Sequence, residues 1–214
     1  MGRISSLALI AVFGIALASA CQSDTHAVFS PPPSPTPHAA PTAAILQPAE
    51  VPPSLQVCLG SGPIDVYVAN LAGHDATVAS KVGAAWEQLA LGGATAGAVS
   101  VYTSAPSACA TELGVVSNAR SITSFVAEFA DPAAAEQAWQ SGIFGFTPPA
   151  PGELMPGVTR GTGTGLGLSS WIYDQPPLRI GCWHRSVFVA LVIAASLDAA
   201  TFKSATAAVD ARLD

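Results

Sequence analysis

Apolar side chains recur at three- and four-residue spacing between positions 76 and 91, where Val78, Val82, Trp86 and Leu89 fall on one stripe. That spacing predicts an amphipathic helix over Ala76–Leu91, with Asp75 placed to cap it and Gly92-Gly93 placed to stop it. The stretch "DPAAAEQAWQSG" predicts a second helix, with Asp131 as N-cap, Pro132 at its first position and Gly142 just beyond its end. A short helix is expected from Pro106 to Leu113. A last one is expected from about Asp198 to Leu213, turning Phe202, Ala205, Val209 and Leu213 inward.

β-Branched and aromatic content places strands at Ile64–Ala69, Ile122–Phe129, Leu166–Tyr173, Leu178–Trp183 and Val187–Ala194. The last two are joined across His184-Arg185-Ser186 as a hairpin. The near-continuous apolarity of "VFVALVIAA" reads as a central strand covered on at least one face. There is also an internal echo. "FVAEFADPAAAEQAW" and "FVALVIAASLDAATFKSA" are each a strand, a turn holding Asp131 or Asp198, and an Ala-rich helix. Duplication is one reading, and the plain resemblance of Ala-rich helices is the other. The expected fold is α+β, a mostly antiparallel sheet of about five strands with helices packed on one face.

The first 54 residues show neither period. Arg3 is followed by the apolar run "LALIAVFGIAL", whose 11 residues are too few for a bilayer-spanning helix of about 20 and suit the core of a secretory leader. From Gln22 to about Ser54 the chain is rich in proline, which lacks a donor and fixes φ, so it is expected to be an extended spacer of polyproline II character. His26 and His38 lie in it as solvated positions. The expected organisation is a leader at 1–20, an anchor and disordered linker at 21–54, and one extracytoplasmic domain at 55–214.

Composition narrows the function. A net charge of −6 and eight scattered Lys and Arg argue against a nucleic-acid partner, which needs clustered cations. Between leader and spacer stands "LASACQ". Small residues directly before Cys21 resemble the lipobox of bacterial lipoproteins. The resemblance implies that the Cys21 sulfur carries a diacylglycerol and that the protein is held at the outer face of the bacterial cell membrane. Ala18-Ser19-Ala20 also fits the A-x-A rule of ordinary signal peptidase, which leaves a secreted protein with a free Cys21. Farther on, "TGLGLSSWIY…LRIGCWHRSVFVALVIAA" and the closing "VDARLD" resemble the C-terminal part of small extracytoplasmic domains in bacterial lipoproteins and in actinobacterial receptor-kinase sensors. Those domains often carry an acidic residue after the Gly-Leu-Gly turn, where this chain has Leu168.

With Cys21 as anchor, Cys58, Cys109 and Cys182 remain, and an oxidising compartment allows them one bridge. All three pairings are open, with Cys58–Cys109 favoured because it staples the start of the domain to a short helix and leaves Cys182 in a strand. "GTGTGLG" at 161–167 has no G-x-G-x-x-G spacing, no following Lys-Ser or Lys-Thr, and a strand where a phosphate cradle needs a helix N-terminus. In "CWHR" the two-residue period puts Cys182 and His184 on one side, as a thiol with a base or as core and hairpin end, and Trp183 and Arg185 on the other. Glu128 faces either solvent or a cleft.

No motif asks for a cofactor or a metal, and no catalytic constellation is visible. The candidate binding surface is the proline- and glycine-rich segment "IFGFTPPAPGELMPGVTR", presenting Phe144, Phe146, Leu154 and Met155, together with Trp183, His184 and Arg185. The same side chains could instead fold back as a lid on the core. The expected function is a non-enzymatic binding or sensor module for a small molecule or an envelope partner protein. Its rivals are a hydrolase assembled from distant residues and a purely structural lipoprotein.

Overall fold

Strict alternation in two strands builds the centre of this protein. In a computed structural model, which describes residues 39–116, 119–150, 152 and 155–213, the chain divides into two units, Met1–Thr36 and Pro37–Asp214, and every described residue lies in the second. Its elements in order are α1 (Pro41–Ala44), β1 (Gln56–Val57), β2 (Gly62–Pro63), α2 (Ile64–Ala72), α3 (Ala76–Leu91), β3 (Ala94–Thr103), β4 (Ser121–Phe129), α4 (Pro132–Ser141), β5 (Val158–Arg160), β6 (Ser170–Gln175), β7 (Leu178–Arg185), β8 (Phe188–Ala195) and α5 (Ala199–Asp210). Cys21, Leu154 and the chain up to residue 38 lie outside the described residues.

The strands form one eight-stranded sheet in the order β1-β3-β4-β8-β7-β6-β5, with β2 also paired to β3. Every pairing is antiparallel. The fold is therefore α+β, with eight strands in place of about five. β4 and β8 sit at the centre with Phe125 opposite Leu191. Phe125, Ala127, Val189, Leu191 and Ile193 point into one core; Ile122, Val126, Phe188, Ala190 and Val192 point into the other.

Both faces are covered, which corrects the expectation of helices on one face only. α2, α3 and α4 bury Tyr67, Leu71, Val82, Leu89 and Trp139 in the first core. α5 lays Phe202, Ala205 and Val209, with Leu213 beyond it, on the second. The echoed units β4–α4 and β8–α5 thus place their helices on opposite faces although their strands run antiparallel side by side. A twofold axis through the sheet would reverse the strand and keep the helix on its own face, so the echo is not a symmetric duplication.

Three further readings are corrected. Ile64–Ala69 belongs to a helix: its alternating Ile64, Val66 and Val68 look like a strand, but Ile64, Tyr67 and Leu71 form the stripe that is buried. The helix expected at Pro106–Leu113 is two 3-10 turns, Pro106–Ala110 and Glu112–Gly114, with Leu113 in the left-handed region at φ 52°. Residues 41–54, assigned above to the spacer, belong to the folded unit. Ala44, Ile45, Leu46, Val51 and Leu55 are buried against the second face. The Leu46 N–H donates to Ser124 Oγ (2.8 Å), Tyr102 donates its hydroxyl to the Leu46 carbonyl (3.1 Å), and Arg212 donates to the carbonyls of Ala44 and Ile45 (3.1 and 3.0 Å). Arg212 also pairs with Glu50.

The caps form as expected. Asp75 accepts from Thr77 and Val78, Asp131 from Ala133 and Ala134, and Asp198 from Thr201. Cys58 and Cys109 form a disulfide across a sequence separation of 51, and Cys182 is free and buried. Among the described residues no helix is long and apolar enough to cross a membrane.

Candidate functional site: an apolar groove beneath the proline-rich loop

The segment from Ile143 to Arg160 is tied down at both ends. Gly142 turns the chain at φ 99°, where a Cβ would come within 2.5 Å of the Thr147 side chain, so only glycine fits. Ile143 and Phe146 then exchange backbone hydrogen bonds, and Phe144 is driven inward onto Phe125, edge to face with ring centroids 4.8 Å apart. At the other end the Arg160 guanidinium donates to the Pro149 carbonyl.

This arrangement splits the expected binding surface. Phe144 is core. Phe146 is half-buried, and Met155 is 63% exposed. Both line a groove of about 590 Å³ between the loop and the sheet, with Trp171, Tyr173, Leu178 and Ile180 as its floor and Thr147, Pro149 and Val158 at its rim. The floor exists because helix cover stops short. α4 lies over the far end of β7, where the Trp139 indole reaches the Cys182 carbonyl (3.5 Å), and α3 lies over β3. The stretch of β6–β8 nearest Leu178 has only loops above it. The Trp171 indole N–H, buried beside this groove, has no hydrogen-bond partner among the described residues.

Two smaller hollows adjoin. One of about 360 Å³ lies on the other side of Phe146, lined by Phe144, Ile193, Val115, Leu113, Lys81 and Glu112. The other, about 220 Å³, runs between Val115, Val116, Pro177, Leu178, Ala195 and Ser196. A separate cleft of about 280 Å³ borders the disulfide and holds Asn70 and His74. It is smaller than the loop groove and has no aromatic floor.

The remaining candidates divide between the two faces. Trp183 is fully buried in the second core, and Arg185 pairs with Asp210 on α5 at 2.8 Å. Burial removes Trp183 from the expected binding surface, while the Arg185 side chain stays 34% exposed. His184 does meet a carboxylate: its Nδ1 lies 2.8 Å from Glu136 Oε2 on α4. Ser169 donates to the same oxygen (2.9 Å) and Gln140 to the other (2.8 Å). Burial opposes ionisation of Glu136, but the hydrogen bonds from Gln140 and Ser169 and the His184 ring outweigh it and hold this carboxyl below its ordinary range.

Ser, His and Glu converge here without forming a nucleophile and its base. The second nitrogen of His184, Nε2, lies 2.6 Å from the Ser186 carbonyl. The two ring nitrogens are thus directed at Glu136 and at the Ser186 carbonyl, and the Ser169 hydroxyl donates to Glu136 and not to the ring. The cluster is a clip between α4 and the β7–β8 hairpin. Cys182 is no partner for His184 either: it is fully buried, and burial pushes its thiol far above the ordinary range. The glycines at 161–167 form a 3-10 turn, Gly161–Thr164, leading into β6. Glu128 is half-buried opposite Phe188 at the end of β4. Among the described residues no three His, Cys, Asp or Glu side chains are grouped to hold a metal ion.

Sequence reasoning missed the floor of the groove. Tyr173 and Ile180 read as ordinary strand residues, and only the register that puts them opposite each other makes them one surface. Comparison of the chain with family models, curated proteins and solved structures finds no match.

Proposed function

We propose that this chain is a lipid-anchored domain of the bacterial cell envelope whose folded unit binds an apolar small molecule in the groove beneath the 143–160 loop, without catalysing a reaction on it. The observation that carries this reading is the groove itself. A concavity of about 590 Å³ floored by Trp171, Tyr173 and Ile180 is of the size and chemistry that small-molecule sites have. The Cys58–Cys109 disulfide supports an oxidising compartment, and the sequence around Cys21 supports the anchor.

The binding half is tested with 1-N-phenylnaphthylamine, an uncharged probe that fluoresces in apolar surroundings. It is expected to bind the wild type and to be excluded by Thr147→Trp, which fills the groove from an exposed rim position and leaves the thermal midpoint unchanged. Binding unaffected by that substitution would refute the assignment. The anchoring half is tested by intact mass of the membrane-extracted protein. A chain beginning at Cys21 and heavier by a diacylglycerol is expected; an unmodified soluble product would overturn it.

A further inference from the structure

Resting on the groove reading, we propose that the ligand is a single-chain zwitterionic lipid whose tail lies along the sheet beneath Phe146 and whose head meets the Lys81–Glu112 pair. Shape is the first argument. The groove and the hollow beyond it share Phe146 as a common wall, so the two concavities run end to end with one aromatic side chain between them. Beneath them runs a cross-strand row that starts at the rim: Val158 opposite Tyr173, Tyr173 opposite Ile180, Ile180 opposite Ile193. Three inter-strand spacings make this row about 14 Å long. An extended alkyl chain laid across the strands would follow it.

Charge distribution is the second argument. Among the described residues no charged side chain lines the larger groove. The hollow past Phe146 has two, Lys81 and Glu112, ion-paired at its mouth with 69% and 32% of their side chains exposed. The trough is therefore apolar along its length and polar at one end, the pattern of an amphiphile. Because that end presents both signs, a fatty carboxylate would gain Lys81 and meet Glu112, and a cationic amphiphile the reverse. A head with both a phosphate and an ammonium complements the pair.

Displacement of 1-N-phenylnaphthylamine is measured with three ligands of equal chain length, lysophosphatidylethanolamine, palmitate and hexadecanol, below their micelle concentrations. On the full chain, lysophosphatidylethanolamine is expected to displace the probe at about fivefold lower concentration than either of the others, the gain that partly exposed charge pairs give. The double substitution Lys81→Gln with Glu112→Gln, one side chain exposed and the other half-buried, is expected to abolish that preference and leave hexadecanol unchanged. Equal displacement by all three, or a preference that survives the double substitution, overturns the head-group assignment with the groove intact. If the probe binds and is excluded by Thr147→Trp, yet no amphiphile displaces it, the lipid assignment is overturned and an apolar ligand without a long chain remains. If the probe itself does not bind, the groove reading and this one both fall.

Discussion

Glu136 carries the clearest single-residue consequence. Its carboxyl titrates below the unfolded value, so its charged form favours the folded state. The stabilisation is fully present above about pH 4.5, the unfolded value, and is lost as the pH falls through the lower folded value. A third of this side chain is exposed, so the effect is expected below about 1 kcal/mol. Glu136→Gln should therefore lose a little stability at pH 7 and progressively less as the pH is taken below about 4.5, measured as the difference in urea midpoint from wild type. A difference that grows toward low pH would reverse the assignment. Ser124 is a larger case. Its buried hydroxyl accepts from the Leu46 N–H and shares a hydrogen bond with Ser100 (2.8 Å), so Ser124→Ala strands a buried donor and is expected to cost about 1–3 kcal/mol in chemical denaturation. Helix caps such as Asp75 and Asp131 were legible from the letters because capping is local. Ser124 was not, because its partner lies 78 residues away and a serine inside an apolar strand carries no mark of it.

Among elements, legibility followed length and burial pattern. β4, β7 and β8 were readable because eight or nine residues of β-branched and aromatic character outweigh any helical alternative. β3 was missed: its "ATAGAVSVYT" begins with small residues of low strand propensity, and its place beside β4 is set by partners far along the chain. β1, β2 and β5, of two or three residues, are too short to show a period and exist only as additions to the sheet. The same edge explains the disulfide. Cys58 directly follows β1 and Cys109 lies in the 3-10 turn after β3, so the bond ties the short edge strands to the long one. Closing a loop with a separation of 51 residues is expected to contribute about 2–4 kcal/mol. Cys58→Ala with Cys109→Ala should lower the denaturation midpoint accordingly. Iodoacetamide, by contrast, is expected not to label Cys182 in the native protein and to label it on unfolding, since burial withholds both access and thiolate.

On the scale of the whole molecule, the second face of the sheet decides where the fold begins. α5 is too narrow to cover β3 and β4 as well as β7 and β8, and the uncovered part, including Ala98, Tyr102, Ile122 and Val126, is closed by residues 44–55. Proline content alone points the other way, since it marks Pro41 to Pro53 as spacer. What overrides it is the spacing of Ile45, Leu46, Val51 and Leu55 among those prolines: proline forbids a ladder, but it does not forbid a strap that packs its side chains and bonds its carbonyls to Arg212. The two readings separate on truncation. A chain starting at Ala39 keeps the strap and is expected to unfold at the midpoint of the full-length protein. A chain starting at Gln56 loses four buried aliphatic side chains worth about 1.5–3 kcal/mol each as an upper bound. That sum is comparable to the whole stability of a typical domain, about 5–15 kcal/mol, so the shorter chain should be largely unfolded or aggregated at room temperature, with near-ultraviolet dichroism lost. If both chains unfold at the same midpoint, the strap is dispensable, and the spacer reaches to residue 54 after all.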